Sequence, residues 1–415
     1  MWKVFWLVVP LGSFVLLAAC ASTPTQPPAD PFQVRKLPEE MKAAADSVVV
    51  SNNRFAVDLY RQLGGQGNAF FSPFSVSTAL AMTSAGAAGT TLAEMRNVLR
   101  FEMSPDRLHP AYGAILTSLD RGVALGGYEL RTANRLWGQA GYGFLDEFIK
   151  VTRDAYAAPL EEADFVNGFE AARLAINRWV EEQTAKRIQE LFAPGTINAD
   201  TRLALVNAIY FKGLWADQFD RALTKDKPFR VTSDLSVTVP MMTREGTYPF
   251  TAADGVQILE MPYRGGDLSM IVLLPDDPDG IEALGEQLTS ERLAGWLGTL
   301  QPQKIIVNFP RFRIESEYTL NDHLSAMGMA SAFDANRADF SAMNGRRDLF
   351  ISIVVHKGFV EVNEEGTEAA AATGVGVSVT SMPPAFDANH PFLFFIRDNV
   401  TGSLLFMGRV VNPAA

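Results

Sequence analysis

Hydrophobic residues recur every three or four positions through much of the first half of the chain, which is typical of helices packed on one face. Phe55, Leu59 and Leu63 share such a face, and Gly64 predicts the end of that helix. Residues 169–191 repeat the pattern over a longer stretch, which predicts a long amphipathic helix.

Two further helix starts follow from capping signals. Ser72 and Pro73 are a good N-cap and first helical position, and the residues after them are small and apolar on nearly all sides. This pattern predicts a buried helix. Thr91 and Glu94 form a capping-box pattern, which predicts that a short helix opens at Thr91.

Strand patterns dominate the second half of the chain. Residues 203–211 are almost continuously apolar, which predicts a central strand. Residues 257–263 and 268–275 flank a Gly-rich turn and predict a hairpin. Residues 304–318 and 349–365 predict two long strands. No second low-complexity linker interrupts this alternation, so we expect one domain that mixes helices and strands.

The N-terminus does not belong to this body. Lys3 precedes an apolar stretch, residues 8–19, that is too short for a transmembrane helix and is typical of a secretory signal. The motif LAAC, which ends at Cys20, resembles the bacterial lipobox, in which the cysteine becomes the lipid-modified first residue. Residues 1–19 are therefore predicted to be a lipoprotein signal peptide, and Cys20 the lipidation site.

Residues 20–40 are rich in proline and polar residues, which predicts an extended tether ahead of a folded domain at 41–415. Ala21 stands where an aspartate is associated with inner-membrane retention. The resemblance therefore favours the outer membrane and leaves open which side the domain faces. The alternative is simple secretion, with cleavage after Ala19 or Ala21 and an incidental cysteine.

Composition and charge exclude several classes of partner. The chain has 415 residues, of which 47% are hydrophobic, so a large core can form. Its net charge is −11, and no Lys/Arg stripe occurs, which argues against nucleic acid, heparin-like polyanions and anionic membrane surfaces. A membrane is expected only through the lipid anchor. Because Cys20 is the single cysteine, intramolecular disulfides are excluded.

The sequence carries no enzyme signature. Neither a GxSxG elbow, nor a P-loop, nor a GxGxxG motif at a strand–helix junction occurs. The four histidines are far apart and lack metal-ligand spacing: His109, His323, His356 and His390. Three carboxylate pairs are typical of solvated faces rather than acid/base dyads: Glu39-Glu40, Glu161-Glu162 and Glu364-Glu365. We expect neither enzyme activity, nor a cofactor, nor a metal.

One segment near the C-terminus, EEGTEAAAATGVGVSVTSMPP (364–384), fits none of the patterns above. Its glycines would break a helix, its second half alternates as a strand does, and apolar strand-like segments follow it. A flexible Ala/Gly linker is the alternative interpretation. A linker does not explain why strongly apolar segments follow at once.

Several stretches together resemble the serpin family of serine protease inhibitors. They are the EEGTEAAAAT stretch with the SMPP and HPFLFFIRD segments after it, residues 70–95, and residues 205–219, and the likeness runs from about residue 45 to Pro413. The resemblance implies an α+β serpin fold, in which helices pack around a large central mixed β-sheet plus smaller sheets. It also implies a monomer with an exposed reactive loop at about 364–384.

The family's mechanism implies suicide inhibition of a serine protease. With Gly366 as the hinge glycine, the family register places the scissile bond between Thr380 and Ser381. The protease serine would attack Thr380 and form a covalent acyl-enzyme. Residues 367–379 would then insert into the large sheet as a central strand and trap the protease. The implied hinge residues are Glu364, Gly366, Thr367, Glu368, Ala369, Ala370, Ala371 and Ala372.

The resemblance also implies residues that hold the sheet closed. Ser72, Ser75, Asn207 and His356 resemble the family's polar cluster beneath the central strands, and Trp215 resembles the tryptophan where the loop first enters. Each also has a structural interpretation, as a helix cap, a satisfied core histidine or core filler. Both interpretations hold together if these residues form a gate, that is, a packed group with two arrangements of its side chains.

The residues of the reactive loop indicate which class of protease would be inhibited. Thr380 is small and β-branched and the loop lacks arginine and lysine, so an elastase-like protease with a shallow apolar pocket is preferred. Some subtilisin-like proteases also fit, and a shift of the cleavage site to Val379 would keep the preference.

The alternative function is a non-inhibitory serpin that acts as a binding or chaperone-like module. The small residues 369–372 favour inhibition, and a lipoprotein hydrolase lacks a nucleophile–base pair.

Overall fold

In the computed structural model the described residues are Trp2, Leu37, 39–65, 67–367 and 383–415. All of them except Trp2 belong to one unit, Pro31–Ala415. Their α-helices are α1 (Glu39–Leu63), α2 (Pro73–Ser84), α3 (Gly89–Val98), α4 (Pro105–Ala124), α5 (Asp146–Tyr156), α6 (Phe165–Gln183), α7 (Ile281–Gln287), α8 (Ser290–Leu297), α9 (Asn321–Leu324) and α10 (Ser341–Asn344).

The strands of the same residues form two sheets. They are β1 (Ala69–Phe71), β2 (Tyr128–Gln139), β3 (Glu161–Ala163), β4 (Leu203–Leu214), β5 (Lys225–Arg230), β6 (Ser236–Ala253), β7 (Val256–Pro262), β8 (Leu268–Pro275), β9 (Gln301–Pro310), β10 (Phe312–Thr319), β11 (Ile351–Val362), β12 (Gly366–Thr367), β13 (Ala385–Asp387), β14 (Phe392–Asp398) and β15 (Leu404–Val410).

The first sheet has the order β10-β11-β4-β2-β3, and β12 pairs with the end of β4. It is mixed, because β4 runs parallel to β11 and antiparallel to β2. The first nine residues of β4 are all buried, which confirms the central strand predicted from its apolar run.

The second sheet has the order β1-β15-β14-β8-β7-β6-β9-β13, with β5 also paired to β6. β6 is eighteen residues long and pairs with β5 at its N-terminal end, with β9 along its middle and with β7 at its C-terminal end. Two smaller sheets are thereby joined through one strand. The hairpin predicted at β7 and β8 is confirmed.

Helix α2 lies between the two sheets, in contact with β2 and β4 on one side and β15 on the other. All twelve of its residues are buried, and Ser72 caps it by accepting a hydrogen bond from the Ser75 N–H. This confirms the predicted buried helix. A second apolar cluster lies on the opposite face of the first sheet, where Val206 of β4 and Ile176 of α6 are both fully buried.

The predicted start of α3 is wrong. The helix begins at Gly89, and its N-cap, Ala88, makes no side-chain cap bond. Thr91 lies inside the helix, fully buried, and its hydroxyl accepts a hydrogen bond from the Asp339 N–H at 2.9 Å. A tertiary partner has therefore replaced the local capping interaction.

The predicted bounds of the long helix are also wrong. α6 begins at Phe165, where the Asp164 side chain caps it by accepting from the Asn167 N–H. It ends at Gln183, and the Thr184 hydroxyl bonds back to the Val180 carbonyl at 2.8 Å and accepts from the Ile188 N–H. These side-chain bonds turn the chain well before residue 191.

The single strand predicted at 304–318 is two strands in different sheets. β9 ends at Pro310 in the second sheet, and β10 begins at Phe312 in the first. Arg311 stands between them, and its N–H donates to the Pro240 carbonyl. Apolar alternation continues across this residue, so the pattern gives no sign of the change of sheet.

Candidate functional site

The first sheet opens between its two central parallel strands. β4 and β11 pair with each other as far as Tyr210 and Phe359. Beyond this point β12 pairs with β4 instead, antiparallel, so that Thr367 lies opposite Gly213. We call the gap between β4 and β11 that receives β12 the slot. The chain after β11 has therefore turned back and begun a new strand at the slot opening.

The turn between β11 and β12, residues 363–366, is tight and requires glycine at its end. The Asn363 N–H donates to the Gly366 carbonyl, and the Gly366 N–H donates back to the Asn363 carbonyl. Gly366 has φ of +147°, and a β-carbon there would lie 2.0 Å from the Gly213 carbonyl oxygen. No other residue fits this conformation and this close approach. We call residues 363–366 the hinge turn.

The segment after β4 holds the backbone of the hinge turn. The Trp215 N–H donates to the Glu365 carbonyl at 2.9 Å, and the Phe219 N–H donates to the Glu364 carbonyl at 2.8 Å. The indole N–H of Trp215 donates to the Asn363 carbonyl at 3.0 Å. The structure thus places Trp215 at the slot opening, where the resemblance puts the family's tryptophan.

The two carboxylates of the hinge turn are buried, so the expectation that Glu364 and Glu365 form a solvated face is wrong. Their side chains are 1% and 2% exposed. Glu364 accepts from Nε of Arg311 at 2.8 Å and from the Thr224 hydroxyl at 2.5 Å. Glu365 accepts from Arg221 at 2.5 Å. A buried carboxylate needs such partners, and tertiary packing supplies them.

The charge state of Glu364 follows from these contacts. Burial raises the pKa of its carboxyl, but the hydrogen bonds from Arg311 and Thr224 outweigh burial and hold the pKa below its usual value. Glu364 is therefore ionised at neutral pH, and the hinge turn is fastened to the body by a charge pair as well as by backbone bonds.

Thr367 is the first residue beyond the turn, and it is already fully buried. Its hydroxyl lies 3.1 Å from that of Tyr263, whose ring stacks on Trp215 with centroids 4.7 Å apart. Gly213 leaves room for this arrangement, because a β-carbon there would lie 2.7 Å from the Tyr263 ring. Thr367, which the resemblance implies is a hinge residue, therefore faces the core in this structure.

A polar cluster joins β4, β11 and α2 below the slot. Nε2 of His356 accepts a hydrogen bond from the Ser72 N–H at 2.9 Å, so Nδ1 carries the proton and donates to Oδ1 of Asn207. Burial lowers the pKa of His356 to about 3, so the ring is neutral. The Ser72 hydroxyl donates to the Leu405 carbonyl at 2.6 Å, which ties the cluster to the second sheet.

The other half of the cluster lies between β4 and β2. The Asn207 amide donates to the Ser75 hydroxyl at 2.9 Å and to Oδ1 of Asn134 at 2.8 Å. The Ser75 hydroxyl also donates to Asn134. The structure therefore brings together the four residues named from the resemblance and adds Asn134 to them. We call these five residues the gate cluster: Ser72, Ser75, Asn134, Asn207 and His356.

His356 and Asn207 lie directly opposite each other in the β11–β4 register. Their hydrogen bond therefore bridges the two strands just where a further strand would have to pass. A strand that extends from Thr367 along the slot can reach this depth only if that bond breaks.

Both ends of the loop are fixed, although most of it lies outside the described residues. At its C-terminal end the Pro384 carbonyl accepts from the Ile306 N–H, and Phe386 of β13 is fully buried. The predicted residues outside the described part are Cys20, Glu368, Ala369, Ala370, Ala371, Ala372, Thr380 and Ser381.

Several residues of the site were not predicted. Arg221 and Arg311 resemble any surface arginine in the sequence, and Tyr263 resembles a core aromatic at the end of a strand. Asn134 gives the one usable signal, because an amide in the middle of a strand-like stretch needs partners when buried. The contacts that give these residues their roles join segments far apart in the chain.

The described part of the chain contains no group of three or more His, Cys, Asp or Glu side chains placed to hold a metal ion. Among the helices of the same residues, none is long and apolar enough to cross a membrane.

Comparison with known proteins gives one family. The family model described as "Serpin (serine protease inhibitor)" matches residues 50–413. A leukocyte elastase inhibitor of Sus scrofa is 45% identical over 381 residues, which cover 89% of this chain and all of that protein. The leukocyte elastase inhibitor of Homo sapiens is 43% identical over 376 residues, which cover 88% of this chain and 98% of that protein.

Solved structures agree. The crystal structure of uncleaved ovalbumin superposes with a TM-score of 0.82 at 34% identity and covers 88% of this chain and all of that one. The structure of a tumour-suppressing serpin gives a TM-score of 0.81 at 31% identity, covering 89% and 100% of the two chains. The predicted arrangement of helices around a large mixed sheet is confirmed by these matches.

Proposed function

The chain belongs to the serpin family, and we propose that it inhibits elastase-like or subtilisin-like serine proteases by cleavage and insertion of its own loop. Serpins bind their target serine proteases. Like its relatives, this chain is an inhibitor homologue and not an enzyme. The proposal adds the target class, the scissile bond and the route of insertion.

The observation that carries the proposal is the short strand β12 in the slot. Its register sets the path of any longer strand, because side chains and backbone bonds must follow the pairing of Thr367 with Gly213. Continuing this antiparallel register along β4 brings Thr373 opposite Asn207. Continuing the pairing of Gly366 with Asn363 along β11 brings Thr373 opposite His356. Both neighbours give the same register, so one strand can pair with both.

The same register fixes the faces of the inserted strand. Thr367 faces the main core, as do Leu205, Ile209 and Phe211 of β4. Side chains alternate along a strand, so the odd-numbered residues from 367 to 379 would face that core. They are threonine, alanine and valine, which suit burial, and Thr373 would meet the gate cluster with a hydroxyl.

In this mechanism the protease serine attacks the Thr380 carbonyl, the Thr380–Ser381 bond breaks, and an acyl-enzyme forms. Release of the new end at Thr380 frees residues 368–379 to follow β12 into the slot. The hydrogen bond between His356 and Asn207 breaks, and the Thr373 hydroxyl offers these side chains a replacement partner. Each inserted residue adds backbone hydrogen bonds worth on the order of 1 kcal/mol net. The uncleaved form is therefore kinetically trapped with respect to the inserted form, which has the lower free energy.

Thr380 supports the target class, since a small β-branched residue fits a shallow apolar specificity pocket. Two relatives are leukocyte elastase inhibitors, which supports the same target class. A shift of the cleavage site to Val379 would leave this preference unchanged.

The proposal also includes export, a monomeric state and an anchor. The sequence LAAC supports lipidation of Cys20 and attachment to a bacterial outer membrane through the tether 20–40. The relatives named above come from animals. The bacterial lipoprotein form therefore rests on the first forty residues alone, and secretion without a lipid is its alternative.

Incubation with pancreatic elastase, analysed on a denaturing gel, tests the inhibitory mechanism. We expect a stable adduct larger than either protein and a released peptide that begins at Ser381. Cleavage without an adduct would refute inhibition by trapping and favour the non-inhibitory alternative. Thermal melting tests the insertion step independently of protease trapping. If residues 368–379 complete the sheet, loop cleavage should raise the melting temperature substantially.

A further inference from the structure

An apolar cavity of about 290 Å³ lies beside Trp215, whose indole N–H donates a hydrogen bond to the hinge turn. Three aromatic side chains line it, Trp215, Phe219 and Tyr248, and each is at most 5% exposed. One face of the Trp215 indole is covered by the stacked Tyr263 ring, so the cavity borders the remaining face or the edge of the indole. Its other walls include three prolines, which also present flat apolar surfaces. Such walls match a planar ring.

The size of the cavity limits the ligand. A volume of 290 Å³ lies at the small end of the range for ligand sites, so a one- or two-ring molecule fits and a drug-sized one does not. Because the walls are almost entirely apolar, most of the affinity must come from the ring.

Apart from Thr247, the polar groups that line the cavity belong to Asp217 and Tyr248, and both of these side chains contact Arg244. Oδ1 of Asp217 is 3.1 Å from Nη2 of Arg244, and Nη1 of Arg244 donates to the Tyr248 hydroxyl at 2.7 Å. Both terminal nitrogens of the arginine are thus engaged. Among the described residues, Oδ2 of Asp217 has no such partner, and its side chain is 45% exposed. The polar group still able to accept a strong hydrogen bond here is a carboxylate oxygen.

We propose that this cavity binds a planar aromatic amine, with the ring among Trp215, Phe219 and Tyr248 and the ammonium group on Asp217. Among the described residues that line the cavity, none belongs to the gate cluster or to the reactive loop at 364–384. The proposal does not depend on the inhibitory function.

A ligand in the cavity would affect the hinge turn through one side chain, that of Trp215. The indole N–H of Trp215 donates to the Asn363 carbonyl, so a ring packed against this indole lies one side chain away from the hinge. A ligand that binds the folded protein also raises its melting temperature by mass action.

Calorimetric titration with tryptamine tests the site. Indole-3-propionate is the matched probe, because it has the same ring with an anionic arm. We expect one tryptamine per chain, at least tenfold tighter than indole-3-propionate. Asp217→Asn should remove the difference between the two probes while the aromatic ring still binds.

A blocking variant locates the binding. Thr247 lines the cavity from β6 and is exposed, so Thr247→Trp should fill the cavity without disturbing the core. Thr251→Trp, on the same face of the same strand but outside the cavity, is the control. Equal affinity of the wild type for both probes, no binding of tryptamine, or wild-type affinity in Thr247→Trp would each overturn the proposal.

Discussion

The hydroxyl groups of Tyr263 and Thr367 lie 3.1 Å apart at the buried opening of the slot. Burial raises the pKa of Tyr263, so the phenol stays protonated and can share a hydrogen bond with the threonine. This contact joins Thr367, the first residue beyond the hinge turn, to the aromatic stack on Trp215.

Tyr263→Phe should loosen β12 without removing packing. Loss of one buried hydrogen bond costs about 1 kcal/mol, which raises the population of the open hinge roughly fivefold. Cleavage after Glu364 or Glu365 by a glutamate-specific protease, mapped by mass spectrometry, should accelerate by that factor. Tyr128→Phe also removes a buried hydroxyl that donates to a backbone carbonyl, and serves as the control. Unchanged cleavage in Tyr263→Phe would show that the hydroxyl pair does not hold β12.

Arg311→Met should destabilise the uncleaved protein by about 2 kcal/mol, because it leaves the buried Glu364 without its charge partner. Arg313→Met is the control, since this arginine is 65% exposed and 3.9 Å from Glu315. Denaturant titrations of the two variants measure the difference. Adding Glu364→Gln to Arg311→Met should recover part of the loss. Equal effects of the two arginine substitutions would contradict the assigned ion pair.

His356 should make the protein less stable in mild acid. Its pKa is about 3 when folded and near 6.5 when unfolded, so the unfolded chain binds the proton first as pH falls. The contribution of neutral His356 to the free energy of unfolding is complete above pH 6.5 and decreases as the pH falls to about 3. Between pH 7.5 and 5.0 the loss is about 2 kcal/mol.

Denaturant titrations of the wild type and His356→Gln at those two pH values isolate this contribution. The variant should lose about 2 kcal/mol less than the wild type between them. Burial also lowers the pKa of His109, to about 4, so some acid sensitivity should remain in the variant. His323→Gln is the control for the loss of a histidine outside the gate cluster. A variant with the wild-type slope would rule out a neutral His356 as the source.

Substitutions in the hinge should convert the inhibitor into a substrate. Thr367→Arg puts a charge into a position that is fully buried, and Ala369→Pro removes a backbone donor from the inserting strand. Both lie far from Thr380, so the protease should still cut the loop. The number of inhibitor molecules consumed per elastase inactivated should rise sharply. If either variant keeps the wild-type stoichiometry, insertion of this hinge is not what traps the protease.

Cys20→Ala should release the protein from membranes. If the cysteine is acylated, the wild type fractionates with membranes and the variant does not. Fractionation in a bacterial host, with mass spectrometry of the N-terminal peptide, measures both. A wild type found wholly in the soluble fraction would exclude the anchor and favour secretion.

The sequence by itself determined the elements whose signals are local. The apolar run of β4 predicted a central strand, and the cap at Ser72 predicted the buried α2, because burial and capping depend on residues a few positions apart. Gly366 was identified as the hinge glycine through the family resemblance, and its left-handed, crowded position explains why only glycine fits.

Only the tertiary structure decided which side chains hold the hinge turn. Glu364 was expected to be solvated, yet Arg311 and Thr224, both remote in sequence, bury and ionise it. Arg311 also stands where one apolar pattern passes from the second sheet to the first. Partners of this kind are set by how distant segments pack, since a hydrogen bond or ion pair depends on position in space and leaves no periodic trace in the chain.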